Sequence, residues 1–515
     1  MSADLRTLLL DTTPEEVPSL DVDLLVRRGA RRRRAKRVGA AAAVLAALAV
    51  GSVTVLGPAT EGRLPVIGQD PGPSEIPQEA WRPLPEALMG PRERATIATD
   101  GDRVVFYGGE SDEQVEVDGT TWSSLTLTDG AIYDTGTDTW QGVPTGPLPA
   151  RTGAHVELAG DQLVVVGGRE LRAVAGAGGV PSEDQALTLE SSRFDLRTGV
   201  WHPMGAPDIA PRTPDLVVWD GERLVLWGGT DEVGFGRVDG ATWTEDDGWT
   251  TIPSAPLDER FGAAVAVVED RLVVWGGTVA RSPGQGGEPG SEDRGWAGDG
   301  AIYDLSTGSW EVMPDGPLSA RWLGHDEWPH RENVRVDGDR ILIVGGLTVG
   351  DVQERTGAWF DLDTGTWTPI TPAPDQARYV TARRGGVIAV DDGPIDGPPP
   401  PDPYVTLWRY DEAADRWDRT ATRLRDVEVH ELSPERLVVS SIGDDGRWLD
   451  SPRIGIWQAG APALVHTRPP LSGRERAMVA TTPDAVLVVG GREIEAIGRE
   501  AVQSRPVNDG ARLDR

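Results

Sequence analysis

An apolar run ending in two glycines recurs six times along this chain: VVFYGG closing on Gly108 and Gly109, LVVVGG on Gly167 and Gly168, LVLWGG on Gly228 and Gly229, LVVWGG on Gly276 and Gly277, ILIVGG on Gly345 and Gly346, and VLVVGG on Gly490 and Gly491. After most of these runs an aromatic residue stands seven positions before a tryptophan, as in Tyr133 and Trp140, Phe194 and Trp201, Tyr303 and Trp310, Phe360 and Trp367, and Tyr410 and Trp417. A proline-rich segment and an arginine then close the unit, at Arg151, Arg212, Arg260, Arg321 and Arg378. A period of roughly 50 residues means one supersecondary unit per repeat, and such units bury their apolar faces only by stacking on one another.

Each unit reads as four strands. Arg260 to Gly277 gives two β-rich runs around the acidic turn Glu269-Asp270, GAIYDLSTGSW adds a third strand and its turn, and WEVMP a fourth. Four antiparallel strands in ~50 residues is the content of one propeller blade.

The double glycine after the second strand and the aromatic residue seven before a tryptophan resemble kelch repeats, over residues 81–515. The resemblance implies an all-β, kelch-type β-propeller in which the aromatic pair packs between neighbouring blades. Sialidase Asp boxes do not fit, because Asp363 and Gly365 stand four and two positions before Trp367. Quinoprotein tryptophan motifs place more residues between glycine and tryptophan. Counting from Arg94, through a last unit that starts at Arg476, gives eight blades. The sixth unit (GGVIAVDDG) and the seventh (LVVSSIG) are degenerate, so seven is the alternative. The third pairs Trp243 with Trp249, one residue short of the usual spacing. The last unit stops at NDGARLDR, and its missing tryptophan strand is found in AWRPLPEALMGPRER, which matches SWEVMPDGPLSAR. Residues 80–90 are therefore expected to supply the outer strand of the C-terminal blade, removing an open edge.

Ahead of the repeats the chain changes character. Residues 1–37 form a basic tail with two short helical signals, ending in RRGARRRRAKR. Val38–Gly57 is an uncharged run that, at ~1.5 Å per residue, spans roughly the 30 Å hydrocarbon core. The basic block predicts a single-pass transmembrane helix with a cytoplasmic N-terminus, which leaves the propeller extracytoplasmic. A cleaved signal peptide fits less well, since the apolar run exceeds a normal h-region and Gly57-Pro58-Ala59 is a poor cleavage site. Residues 58–79, rich in proline and glycine, read as a spacer, and residues 80–515 as the propeller. Lys36 is the only lysine in an arginine-rich chain, which resembles actinobacterial usage.

The net charge of −32 argues against nucleic acid as a partner. The absence of cysteine excludes thiolate metal sites and cysteine nucleophiles. It also excludes the Cys-Tyr cofactor of copper oxidases with galactose-oxidase-like propellers, which the kelch resemblance would otherwise suggest. No cofactor and no metal is expected.

In antiparallel blades the second-to-third strand loops and the blade-to-blade connections emerge on one face. The long insertions Glu110–Asp129, Arg169–Ser191, Thr230–Gly240, Thr278–Asp299 and Leu347–Thr356 all belong there, as does Arg321–Asn333. This face is the expected binding site. Its richest stretch holds Trp322, His325, Asp326, Trp328, His330 and Arg331. Two tryptophan platforms with histidine and carboxylate suit a sugar or peptide. Against this, His325 stands four residues after its closing arginine, as His155 does, which marks a repeated structural position. Two histidines without further spaced ligands argue against a metal. The closing arginines either ring the channel to hold an anion or make structural ion pairs, and their recurrence favours the second. The expected function is recognition of a protein, peptide or glycan, with a possible cytoplasmic partner for the tail. A carboxylate-based glycosidase or lyase is the alternative.

Overall fold

The computed structural model describes residues 76–515 apart from 113–114, 118–119, 123–124, 176–180, 280–294, 325–332, 349–351, 384–385, 392–404, 423, 425–426, 434, 442–451, 459–460, 462–463, 497–501 and 515. The basic tail, the apolar run Val38–Gly57 and most of the spacer lie outside the described residues. Among the described residues there is no α-helix, and no helix is long and apolar enough to cross a membrane.

Seven four-stranded antiparallel sheets and one five-stranded sheet make up the body. In the first, Thr96–Asp100, Arg103–Tyr107, Gly130–Asp134 and Thr139–Val143 lie side by side in chain order. Its second strand is covered on both faces, so it is apolar without alternation: Val104, Val105 and Phe106 are fully buried. Its fourth strand faces solvent for most of its length and is mixed. The same order recurs in sheets two to seven, which begin at His155, Leu216, Ala264, Val334, Tyr379 and Val427. Both degenerate units form full four-stranded sheets, at Tyr379–Ala421 and Val427–Thr467. In the eighth sheet, Met478–Thr481, Ala485–Val489 and Gly510–Asp514 are joined by Trp81–Pro83, with Trp81 opposite Leu513 and Pro83 opposite Ala511.

The core is divided among the gaps between sheets. Val105, Val156, Val165 and Phe194 pack together between the first and second sheets. Corresponding clusters join the second to the third, the third to the fourth, and so on to the seventh and eighth. Another cluster joins the eighth sheet to the first, through Leu487 and Val489 against Phe106 and Tyr133. An all-β body of antiparallel sheets with its apolar residues shared between consecutive sheets is consistent with a kelch β-propeller.

The aromatic pairs are cross-strand neighbours on the third and fourth strands. Ring centroids are 4.9 Å apart in Tyr133–Trp140, 5.2 Å in Phe194–Trp201, 5.0 Å in Tyr303–Trp310, 4.9 Å in Phe360–Trp367 and 5.3 Å in Tyr410–Trp417. Each tryptophan also reaches back: Trp140, Trp201, Trp310, Trp367 and Trp417 donate their indole N–H to the carbonyls of Pro85, Pro144, Pro253, Pro314 and Thr371, which precede their own sheets. The spacing of seven follows from the turn. Asp304 begins that turn by accepting the backbone N–H groups of Ser306 and Thr307 through its carboxylate, and Gly308 ends it at φ +72°. Trp243 and Trp249 are also directly opposed, and their spacing is shorter because three residues rather than four separate the strands.

Candidate functional site

The face expected to bind is built on the paired glycines. All twelve adopt positive φ, from +59° at Gly490 to +102° at Gly277. The second glycine of five of these pairs, Gly109, Gly168, Gly229, Gly277 and Gly346, lies against the segment that enters its own sheet. A Cβ on Gly109 would lie 2.5 Å from the carbonyl oxygen of Glu93, and on Gly229 only 1.9 Å from that of Thr213. Beyond the glycines the second strand continues, and it pairs again with the entering segment: Arg151–Thr152 with Arg169–Glu170, Arg260–Phe261 with Thr278–Val279, Arg474–Glu475 with Arg492–Glu493, and Trp322 with Leu347.

A buried arginine fastens the base of each of these hairpins. Arg260 donates from Nε to the Asp258 carbonyl (2.9 Å), and from Nη1 to the Gly276 carbonyl (3.3 Å) and the Asp299 carboxylate (2.8 Å). Arg92 repeats this with Gly90, Gly108 and Asp129, and Arg474 with Ser472, Gly490 and Asp509. Arg212 pairs with Asp239, Arg151 finds the Gly167 and Glu190 carbonyls, and Arg321 finds the Gly345 and Thr356 carbonyls and the Thr356 hydroxyl, with the Glu354 carboxylate at 3.8 Å. Burial pulls the Arg321 guanidinium down to about 10, which still leaves it charged at neutral pH. These side chains are spent on their own loops, so they act as structural fasteners and do not form a ring holding an anion. The sequence expectation placed the first and last units at Arg94 and Arg476. The fasteners are instead Arg92 and Arg474, and Arg94 and Arg476 sit at φ 56° and 54°, where Gly153 and Gly262 sit in the second and fourth sheets.

Of the six residues singled out in Arg321–Asn333, the structure describes Trp322; His325, Asp326, Trp328, His330 and Arg331 lie outside the described residues. Trp322 joins the fourth sheet to the fifth. Its backbone N–H donates to the Leu347 carbonyl, and its indole lies against Gly262, where a Cβ would meet Nε1 at 2.1 Å. That indole N–H is buried without an acceptor. The position that His155 holds in the second sheet, opposite Val166, is held in the fifth by Asn333, whose carbonyl accepts from the Val344 N–H. His325 therefore does not fill it. Asn333 Nδ2 donates to the Leu323 carbonyl and ties the loop back to the sheet.

Charged residues link neighbouring hairpins. Glu93, almost fully buried, accepts from Arg476 and Arg492, and Arg492 also holds Asp112. Glu232 of the third sheet's loop accepts from Arg169 and from the backbone N–H of Leu187 in the second sheet's long hairpin. Two large apolar side chains stand out on these loops, Val233 at 65% exposure and Val352 at 56%. The carboxylates moved from their ordinary range are all moved down. Asp304 is held low by the Ser306 hydroxyl and the Thr307 N–H, Asp361 by the Thr364 N–H and hydroxyl, and Asp415 by the Thr371 N–H and the Tyr410 hydroxyl. Among the described residues no group of three or more His, Asp or Glu is placed to hold a metal ion.

This geometry defines a repeat-built β protein with one hairpin-bearing face, and comparison with known proteins agrees. The chain is 27% identical over 248 residues to kelch domain-containing protein 10 of Homo sapiens and of Bos taurus, covering 46% of this chain and 52% of each relative. It is 24% identical over 270 residues to the kelch-like protein terF of Aspergillus terreus, covering 50% of this chain and 53% of that protein. The chain thus spans about half the length of the curated relatives it matches. No family model matches it. The similarity supports a kelch-repeat assignment for the part it covers.

Proposed function

We propose that this chain is an interaction module that displays a protein-binding face outside a membrane. The eight sheets are the blades of one closed ring, with Trp81–Pro83 completing the eighth. Support for closure comes from the pairing of Trp81 with Leu513 and from the cluster shared by the eighth and first sheets. The run Val38–Gly57 is the anchor, the basic tail remains in the cytoplasm where it can meet a partner, and the proline-rich spacer lifts the ring from the lipid. The similarity to kelch domain-containing proteins supports an interaction role.

The observation that carries the proposal is the contrast between a repeated frame and unrepeated loops on one side of it. Buried arginines and tight glycine contacts fix the hairpin bases in sheet after sheet, while the hairpins differ in length and expose Val233 and Val352. Rigid presentation lowers the ordering cost of binding, and the exposed apolar tips supply contact area. The test places a photoactivatable residue at Val233 or Val352 of the full-length chain in its native membrane, and at Val200 and Val312 on outer strands as controls. Protein adducts confined to the first pair are expected. Equal adducts at all four positions, or none at Val233 and Val352, would overturn the proposal.

A further inference from the structure

Away from the hairpins, on the side of the short turns, a cleft of about 420 Å³ opens between the second and third sheets. Its position follows from its lining. Ala159 and Trp219 end first strands, Gln162 lies at the start of a second strand, and Thr244 ends a third. The cleft lies at the third sheet, where the repeat is irregular. There the aromatic pair is Trp243 with Trp249, and the Trp249 indole N–H is buried without the acceptor that its counterparts in sheets one, two, four, five and six find in the preceding segment. The third-to-fourth strand turn is one residue shorter than in sheets one, two, four, five and six and consists of Glu245, Asp246 and Asp247.

The lining combines two chemistries. Trp219 and Trp243 supply aromatic walls, and Glu222, Glu245, Asp246 and Asp247 supply carboxylates that are exposed to solvent. Arg193 is the one cation in the lining, and its use there is informative. Its guanidinium carbon sits 5.6 Å from the centre of a Trp243 ring, it pairs with Glu245 at 2.6 Å, and it donates to Gln162 at 3.2 Å. The cleft already holds a guanidinium by an indole face and a carboxylate, the combination that favours cations over neutral groups. Arg193 is committed to Glu245. Of the other carboxylates, Glu222 has Arg223 at only 3.9 Å and Asp247 takes a threonine hydroxyl, so the lining keeps an excess of negative charge.

We propose that this cleft is a second binding site, which takes basic side chains, lysine or arginine, of a polypeptide partner lying across the turns of the second and third sheets. A peptide fits better than a small free cation because the carboxylates stand around an open mouth, where successive basic side chains of one segment can each meet one. The strongly acidic chain adds long-range attraction for such a partner, and the two tryptophans confine it to this place. This site is independent of the hairpin face, so either can fail without the other.

The test measures fluorescence anisotropy of a labelled Gly-Arg-Gly-Arg-Gly peptide with the purified full-length protein. Trp219→Ala, and separately the pair Glu222→Gln with Asp246→Asn, are each expected to weaken binding about tenfold. Glu311→Gln with Asp315→Asn, on the outer edge of the fourth sheet, removes the same charge elsewhere and should leave binding unchanged. Trp219→Phe keeps an aromatic face and should bind within a few-fold of the parent, which covers the case in which the alanine variant does not fold. Equal weakening by the control pair would show attraction to acidity in general and overturn the proposal. So would unchanged binding in Trp219→Ala, or tetramethylammonium binding at the cleft while the peptide does not.

Discussion

His155 sits in an environment at odds with its chemistry. It is buried between sheets, neither ring nitrogen has a hydrogen-bond partner, and burial alone pulls its pKa down to about 4. In the unfolded chain a histidine titrates near 6.5. Between those values the unfolded state binds a proton that the folded state refuses, so folding stability is complete above about pH 6.5 and falls as the pH drops towards 4. The shift corresponds to roughly 3 kcal/mol. Carboxylates held low, such as Asp304 and Asp361, lose their contribution only at more acid pH, which separates the two effects. Urea unfolding at a series of pH values should show the parent losing stability from pH 6.5 to 4.5. His155→Leu, which copies Leu216 at the matching position of the third sheet, should be flat over that window; an unchanged slope in the variant would refute the assignment. The sequence singled out His155 by its distance from a closing arginine and linked it to His325 on that ground. Strand register defines the position, and Asn333 holds it because extra residues stand between Arg321 and the strand.

At the level of the element, the hairpin base was legible in outline and misplaced in detail. A second strand buried on both faces has to be a continuous apolar run, and the turn after it has to accept positive φ, so both were visible as letters. The fastening arginine is ambiguous in GPRER and SGRER, where two arginines stand two apart. A constant interval would have resolved it: Arg92, Arg151, Arg260 and Arg474 each lie 16 residues before the glycine carbonyl they bind, and Arg321 lies 24 before its own because of the insertion in the fifth sheet. The two glycines of a pair are not equivalent, which makes a second prediction. A Cβ on Gly108 would meet its nearest neighbour at 3.4 Å, whereas on Gly109 it would lie 2.5 Å from a backbone oxygen. Asparagine tolerates left-handed backbone better than other residues, so Gly108→Asn should cost about 1 kcal/mol or less. Gly109→Asn must separate the hairpin from the entering segment and should cost about 3 kcal/mol. Thermal unfolding of the two variants decides it, and equal losses would mean that φ alone sets the requirement. The cleft between the second and third sheets was not legible, because its residues come from short turns of two sheets. Its one trace in the sequence was the shortened spacing of Trp243 and Trp249.

Over the whole molecule, what had to be settled was how the last sheet is completed. The segment before the first repeat, AWRPLPEALMGPRER, resembles the fourth strand of a repeat. In the structure Trp81–Pro83 lies along Gly510–Asp514, and two kinds of interaction hold it there. Trp81 is buried at 4% exposure among Val438, Ile456 and Leu513, and its indole N–H donates to the Thr467 hydroxyl at 2.7 Å. Arg82 pairs with Asp138 and Asp514, but all three side chains are more than a third exposed. An exposed pair is typically worth about 0.2–1 kcal/mol, whereas truncating a buried tryptophan costs about 3–5 kcal/mol. Trp81→Ala should therefore lower the calorimetric unfolding temperature well beyond Arg82→Ala. It should also free the edge of Gly510–Asp514 to pair with other copies, seen as concentration-dependent oligomers by light scattering. Arg82→Ala should remain monomeric and lose stability only slightly, with the loss vanishing at high salt. If Arg82→Ala proves the more damaging of the two, charge rather than apolar packing holds Trp81–Pro83 against Gly510–Asp514.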